Sequence, residues 1–299
     1  LHAAAALSPR RVGDGFTLRL YFHDALDAVF DRDPVTEDYH RHLTALTARW
    51  AREHPSSTLA HQMHLRARTA LAWWHRGTGF ANTVSPDALK QFHAEIAAAI
   101  DYLTRHADVV LRNSEGHALA LVLARAAGWS VDRQAAIAEA GLQLAADDDH
   151  LHRTMLNSLL PKWGGNAELV DRYINWAADR AAPDVAPMLY ARLYAHAGQA
   201  QFGHSLFTDT AVQWPRMKAG WQRLVERFPT AYNHNRFAYL ACMARDKPAF
   251  RDLVERIGTK PVLPAWGSNP GRTLDGCRRW AASLTKSARA SSADWITTP

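Results

Sequence analysis

The sequence predicts an all-α protein built as an α-solenoid of antiparallel helix pairs. Strand signals are scarce, and apolar residues recur at the i, i+3, i+4, i+7 spacing of amphipathic helices along most of the chain. Polar capping residues precede many of these segments. The central third also repeats with a period of about 35 residues. One helix pair cannot bury its own apolar face, so stacked pairs are the expected arrangement.

The N-terminal part is predicted to contain four helices, near 16–30, 36–53, 57–75 and 86–105. The last has the clearest start, with Ser85 as N-cap, Pro86 at the first helical position and Asp87 in the first turn. These helices do not share the 35-residue period. Residues 1–110 are therefore interpreted as a cap or as degenerate repeats.

The central part carries the repeat signal. Three helices are predicted to begin at polar caps that lie 35 residues apart (114 to 149, then 149 to 184): Ser114, Asp149 and Asp184. Each is predicted to end at a glycine: Gly128, Gly164 and Gly198. A second helix follows each of the first two glycines, and Asn166 is its predicted N-cap in the middle unit. Residues 111–213 form the predicted repeat region, with a loop-rich break at about 199–213.

The C-terminal part, 214–299, is predicted to add repeat-like helices and a wrapping tail, in one continuous solenoid with the rest. A helix pair precedes Gly258, a Pro/Gly-rich stretch follows it, and a short helix is expected near 276–288.

The period and the helix-turn-helix units resemble the tetratricopeptide-like (TPR-like) superfamily. Ala238, Phe250 and Val254 match three of its packing positions, and Pro229 resembles its closing proline. The strings "AWWHRGTGFANTVSPDALKQFH", "LPKWGGN" and "WPRMKAGWQRLVERFPTAYNHNRFAYLAC" also resemble an uncharacterised family of bacterial proteins over roughly residues 35–265. This resemblance implies a bacterial origin and no particular activity.

Bulk composition narrows the function classes. The formal net charge of +6 comes from scattered residues without a dense basic run, and no polar code recurs at matched repeat positions, so nucleic-acid binding is not expected.

No apolar run approaches the length that spans a bilayer, and the chain is expected to be soluble. The sequence begins at Leu1 rather than Met. A bacterial cytoplasmic location is favoured, with the periplasm as the alternative if a signal or anchor was removed upstream.

The candidate catalytic and metal-binding patterns are each incomplete. His61-x-x-His64 and the run "DDDHLH" at 147–152 combine metal-ligand types, but zinc needs three or four converging ligands and the usual spacings are absent. The aspartates of this run are expected to cap a helix. His204, Ser205 and Asp209 lie close in sequence without the strand-to-helix elbow of a hydrolase. Cys242, in an apolar helix, is expected to be a buried thiol.

These patterns predict a protein without catalytic activity, metal or cofactor, whose function is to bind a protein or peptide in the groove of the solenoid. Two alternatives stay open: an immunity or adaptor protein for a toxin or secretion-system component, and a metal-dependent hydrolase that uses the His/Asp clusters. The oligomeric state is not predicted. The predicted partner-binding residues are chosen for their aromatic or cationic type on presumed first helices and turns, with packing between helices as the alternative for the aromatic ones: Trp73, Trp74, Arg76, Arg153, Lys162, Tyr190 and Tyr194.

Overall fold

A computed structural model describes residues 11–30 and 36–283, apart from 78 and 80. Within these ranges the protein is all-α, with one two-stranded antiparallel hairpin, β1 (Arg11–Val12) and β2 (Phe16–Thr17), that the sequence did not predict. The α-helices are, in order, α1 (Leu18–Phe30), α2 (Glu37–Glu53), α3 (Thr58–Arg76), α4 (Pro86–Arg105), α5 (Ala107–Val110), α6 (Ser114–Ala126), α7 (Val131–Leu144), α8 (Asp149–Ser158), α9 (Ala167–Arg180), α10 (Ala186–Ala197), α11 (Leu206–Asp209), α12 (Trp214–Arg227), α13 (Ala231–Met243), α14 (Lys247–Ile257) and α15 (Pro270–Ala282).

The predicted helix starts are confirmed where a side chain caps the backbone. Ser85 accepts a hydrogen bond from the Ala88 amide, and Asn166 accepts one from Leu169. In the central repeat the caps lie one residue earlier than predicted, at Asn113 for α6 and at Asp148 for α8. The third repeat helix, α10, begins at Ala186 without a side-chain cap.

One of the three predicted glycine stops is confirmed: Gly128 follows the C-cap of α6 with a φ of +69°, a left-handed conformation that a residue with a Cβ rarely adopts. Gly164 was wrongly predicted to end its helix, because α8 ends at Ser158, and Gly164, with a φ of +86°, caps the 3₁₀ turn Pro161–Trp163 instead. Gly198 was wrongly predicted to end its helix. It keeps helical dihedral angles, and the chain continues through a π turn (Gly198–Phe202) before it turns at Gly203.

The chain divides into two compact units, Leu1–Phe228 and Pro229–Pro299. In the first unit several consecutive helices pack on one another, as in the pairs α3 with α4, α6 with α7, and α9 with α10. The first helices of successive pairs also pack on one another, because α6 contacts both α3 and α8, and α8 contacts α10. The helices α3, α6, α8 and α10 therefore pack against one another in succession.

In the second unit, α13 packs on α14, and both contact α15. The prediction of a free buried thiol at Cys242 was wrong, because Cys242 on α13 is disulfide-bonded to Cys277 on α15, with 5.9 Å between the two Cα atoms. The 35-residue separation hid the pairing, since only the packing of α13 against α15 brings the two residues together. The predicted helix near 276–288 begins earlier, at Pro270, and its residues after 283 lie outside the described part of the chain.

Candidate functional site

Two tryptophans meet at the C-terminal ends of the first helices. Trp73 lies in the last turn of α3, and Trp163 lies in the 3₁₀ turn Pro161–Trp163 that follows α8. Their rings contact edge to face, with 5.7 Å between centroids. Phe92 of α4 packs against Trp73 with 4.9 Å between centroids, which fixes the orientation of the ring. The structure thereby joins two segments that are 90 residues apart in sequence.

Glycines place Trp163 at this surface. Gly164 has a φ of +86°, and a Cβ atom on Gly165 would lie 1.9 Å from the Leu159 carbonyl oxygen. The chain can therefore fold back against the end of α8 only if both positions lack a side chain. The turn leaves Trp163 36 % exposed.

Three cations surround the tryptophan pair. The guanidinium carbon of Arg76 lies 5.3 Å from the ring centroid of Trp73, and that of Arg125 lies 5.2 Å from the ring centroid of Trp163. The Lys162 Nζ donates to the Ala200 carbonyl at 2.9 Å. None of the three cations forms an ion pair with a carboxylate in the described part of the chain. We call these five residues the tryptophan–arginine surface.

Arg125 is the most constrained of these cations. Its Nη1 donates to the Thr154 carbonyl and to the Ser158 hydroxyl, both at 3.3 Å, and its buried Nε has no hydrogen-bond partner. Burial lowers the pKa of Arg125 to about 10. The pKa of Lys162 is also lowered, by its own burial and then by the charge of Arg125. Two mutually repelling cations without a carboxylate form a site where an anionic group would be stabilised.

The predicted site residues separate into three groups. Trp73, Arg76 and Lys162 belong to the tryptophan–arginine surface, and Trp74, 38 % exposed, lies next to Trp73 at the end of α3. Arg153 alone is the second group: it lies on α8, where its Nε donates to His196 Nδ1 at 3.3 Å.

Tyr190 and Tyr194 form the third group and lie in the core, 1 % and 0 % exposed. The Tyr194 hydroxyl donates to Asp171 at 2.8 Å, and the Tyr190 hydroxyl accepts from the Gln213 amide at 3.1 Å. The prediction that these tyrosines lie at a binding face was wrong, because α10 is covered by α8, α9 and α12. The alternative that they pack between helices describes both rings.

The carboxylates of the acidic run at 147–149 pair with other groups of this protein. Asp148 caps α8 and accepts a hydrogen bond from the Ser114 hydroxyl. Asp149 is paired with Arg11 of the hairpin and lies 3.6 Å from Arg192 of α10. Among the described residues, no group of three or more His, Cys, Asp or Glu side chains is placed to hold a metal ion.

A second buried charge cluster lies beside this run. Glu115 of α6, 1 % exposed, pairs with Arg66 of α3 and, at 2.8 Å, with His150 of α8. Burial disfavours the charged form of His150, but the Glu115 carboxylate outweighs it and raises the pKa of His150 overall. This cluster ties three first helices together. The His204–Ser205–Asp209 pattern forms no comparable cluster, since the Ser205 hydroxyl donates to the Phe202 carbonyl at 2.9 Å.

Sequence reasoning missed Arg125 as a site residue. It lies within an ordinary helical pattern, and its lack of a carboxylate partner appears only when α6 packs against α8. The chain matches none of the protein-family models, curated proteins or solved structures with which it was compared.

Proposed function

We propose that this chain is a TPR-like helical array that recognises a protein partner through the tryptophan–arginine surface. The observation that carries the proposal is the gathering of three cations, none paired with a carboxylate in the described ranges, around two partly exposed tryptophans. Tryptophan and arginine are the residues most enriched at binding hot spots. The successive packing of α3, α6, α8 and α10 supports the solenoid arrangement, in which such a surface lines a groove.

The chemistry of the surface defines the segment of the partner that it would take. Trp73 and Trp163 offer apolar ring faces and edges. Arg125 and Lys162 offer positive charge that no carboxylate among the described residues compensates. The complementary partner is a protein segment in which an acidic side chain stands next to an aromatic or aliphatic one. Removal of water from Arg125 on binding would strengthen the ion pair that it forms.

Site-specific photocrosslinking in the source organism tests this proposal. A photoreactive residue at Trp74, beside the surface, should capture a defined protein, whereas one at Leu144, an exposed apolar residue at the end of α7, should not. The variant Lys162→Glu with Arg76→Glu should lose the captured protein. The matched control is Arg133→Glu, which reverses an arginine that is not part of the tryptophan–arginine surface and whose guanidinium carbon lies 3.7 Å from the ring centroid of Trp129. Equal capture by both charge-reversed chains would reject the proposal.

The narrower role of an immunity or adaptor protein would use the same surface. It is distinguished by the identity of the captured partner, which would be a toxin or a secretion-system component. The metal-dependent hydrolase gains no support from the geometry, because the carboxylates at 147–149 are engaged by arginines, a serine and the start of α8.

The disulfide favours one of the two predicted compartments. Disulfides persist in oxidising compartments such as the periplasm and are rare in the cytosol. We therefore propose the periplasmic location in place of the cytoplasmic one. No helix in the described ranges is both long and apolar enough to cross a membrane.

A further inference from the structure

We propose that the cleft between α2, α3 and α4 is a binding site for a small organic anion with an aromatic or aliphatic body. This cleft has a volume of about 630 Å³, which suits a ligand of the size of a typical metabolite or drug. It involves none of the residues of the tryptophan–arginine surface. The inference is therefore independent of the proposed protein partner.

The inner wall of the cleft is polar but neutral. The Pro55 carbonyl can only accept, so His61 carries its proton on Nε2, which donates to that carbonyl at 3.0 Å. Nδ1 of His61 then accepts from the Tyr102 hydroxyl at 2.6 Å. Burial lowers the pKa of His61, and burial followed by the charge of Arg68 lowers the pKa of His64 to about 4. Both imidazoles are uncharged at neutral pH.

Aromatic rings make up this same wall, and their faces can pack against an apolar body. Tyr102 lies between two imidazoles, with its ring centroid 4.6 Å from that of His64 and 4.4 Å from that of His106. Ala48 and Ala51 of α2 complete the wall with small side chains, which leave the space open. A flat or branched apolar body fits a surface of this kind.

The same cleft is lined by two arginines, Arg52 and Arg105, and by no carboxylate among the described residues. Arg105 is paired at 2.7 Å with Asp101, one turn earlier on α4, in an exposed ion pair. Such pairs contribute little to stability, so the guanidinium is available to an anionic ligand at small cost. Arg52 forms no ion pair in the described part of the chain. The charge of the site therefore selects for an anion.

The experiment is a fluorescence titration of the full chain with anilinonaphthalene sulfonate, an aromatic anion of suitable size. We expect one-to-one binding with a dissociation constant of about 10 μM. Replacing both arginines, as Arg52→Ala with Arg105→Ala, should weaken binding about tenfold or more. The variant Ala48→Trp keeps both charges and fills the cleft, and it should abolish binding.

Two controls lie on the same helix, α2, outside the cleft. Ala45→Trp adds the same bulk at an exposed position, and Arg49→Ala removes an exposed arginine that pairs with Glu53 at 3.9 Å. Both controls should bind like the wild type. As a second measurement, the ring signals of His61 and His106 in NMR spectra should shift when the wild type binds the probe.

Three results would overturn the inference: no saturable binding to the wild type below about 1 mM, unchanged binding to Ala48→Trp, or equal losses in the controls. Because the variants of the tryptophan–arginine surface leave this cleft intact, they should bind the probe normally. Failure of one proposal is therefore distinguishable from failure of the other.

Discussion

The Arg192 guanidinium of α10 holds the N-terminal hairpin by donating to the Gly15 carbonyl, 177 residues away in sequence, at 2.7 Å. A second nitrogen of the same group donates to the Asp14 carbonyl at 2.7 Å. The ring centroid of Phe16 lies 4.4 Å from the Arg192 guanidinium carbon. Although burial lowers the pKa of Arg192 to about 10, the nearby Asp149 carboxylate favours its charged form. Arg192 thus helps to fix the hairpin, together with the pairing of Arg11 with Asp149.

This contact predicts that Gly15→Ala detaches the hairpin. Gly15 has a φ of +85°, and its Cβ would lie 2.4 Å from Arg192 and 2.5 Å from Phe228. We expect a loss of about 2 kcal/mol or more in the free energy of unfolding, with faster hydrogen exchange over residues 11–17. Gly128→Ala is the control, because it has a similar positive φ and nothing within 4 Å, so it should cost only about 1 kcal/mol. Equal losses in urea unfolding would contradict the packing argument.

Glu115→Gln should be among the most destabilising single substitutions. It removes the buried carboxylate that pairs with both Arg66 and His150. We expect a loss of about 3–5 kcal/mol. Glu37→Gln removes an exposed carboxylate that pairs with Arg41, and should cost less than about 1 kcal/mol. Thermal denaturation of the two variants measures the difference, and a small effect at Glu115 would show that the buried pair contributes little.

The stability of the protein should fall in mild acid because of His64. Burial, followed by the charge of Arg68, lowers the pKa of His64 to about 4, whereas an unfolded histidine titrates near 6.5. Between these values the unfolded chain binds a proton that the folded chain does not. Stability is therefore fully present above about pH 6.5 and is lost as the pH falls toward 4, by at most about 3 kcal/mol from this residue.

His64→Asn should flatten the dependence of the unfolding free energy on pH in this window. Met63→Leu, on the neighbouring position of α3, introduces no titratable group and should keep the wild-type slope. Urea midpoints measured between pH 4 and 7 provide the test. An unchanged slope in His64→Asn would assign the acid sensitivity to other groups.

Arg125→Met should preserve or increase stability while weakening capture of the proposed partner. The substitution replaces a cation that lacks a carboxylate with an apolar side chain of similar length, so a gain of up to about 2 kcal/mol is expected. Arg133→Met, which removes an exposed cation over Trp129, should cost at most about 1 kcal/mol. A clear loss of stability in Arg125→Met would indicate that its bonds to Thr154 and Ser158 outweigh the cost of burying the charge.

The Cys242–Cys277 disulfide should stabilise the second compact unit. It closes a loop of 35 residues, for which the loss of chain entropy in the unfolded state predicts about 3–4 kcal/mol. The double variant Cys242→Ala with Cys277→Ala should melt at a lower temperature than the wild type, and a reductant should affect only the wild type. Labelling of both cysteines by a maleimide in the folded, unreduced protein would contradict the assignment.

The helix ends, the hairpin and Gly198 show which features of the fold could be predicted from the sequence. The start of α4 could be predicted because Ser85, Pro86 and Asp87 act within one turn. The end of α6 at Gly128 could be predicted because a left-handed residue is needed there. The hairpin Arg11–Thr17 could not, since its stability comes from Arg192 and Asp149, far along the chain. The end at Gly198 was wrongly predicted, because Gly198 has helical dihedral angles and the chain continues into a π turn.

The sequence by itself determined the all-α class, most helix bounds and the residue types of the candidate surface. Caps, helix propensity and apolar period act within a few residues, so they can be read along the chain. Only the tertiary structure decided that Trp73 meets Trp163, that Arg125 pairs with no carboxylate in the described ranges, and that Tyr190 and Tyr194 are buried. Burial and charge compensation depend on which helices pack together, and the local pattern of a single helix does not contain that information.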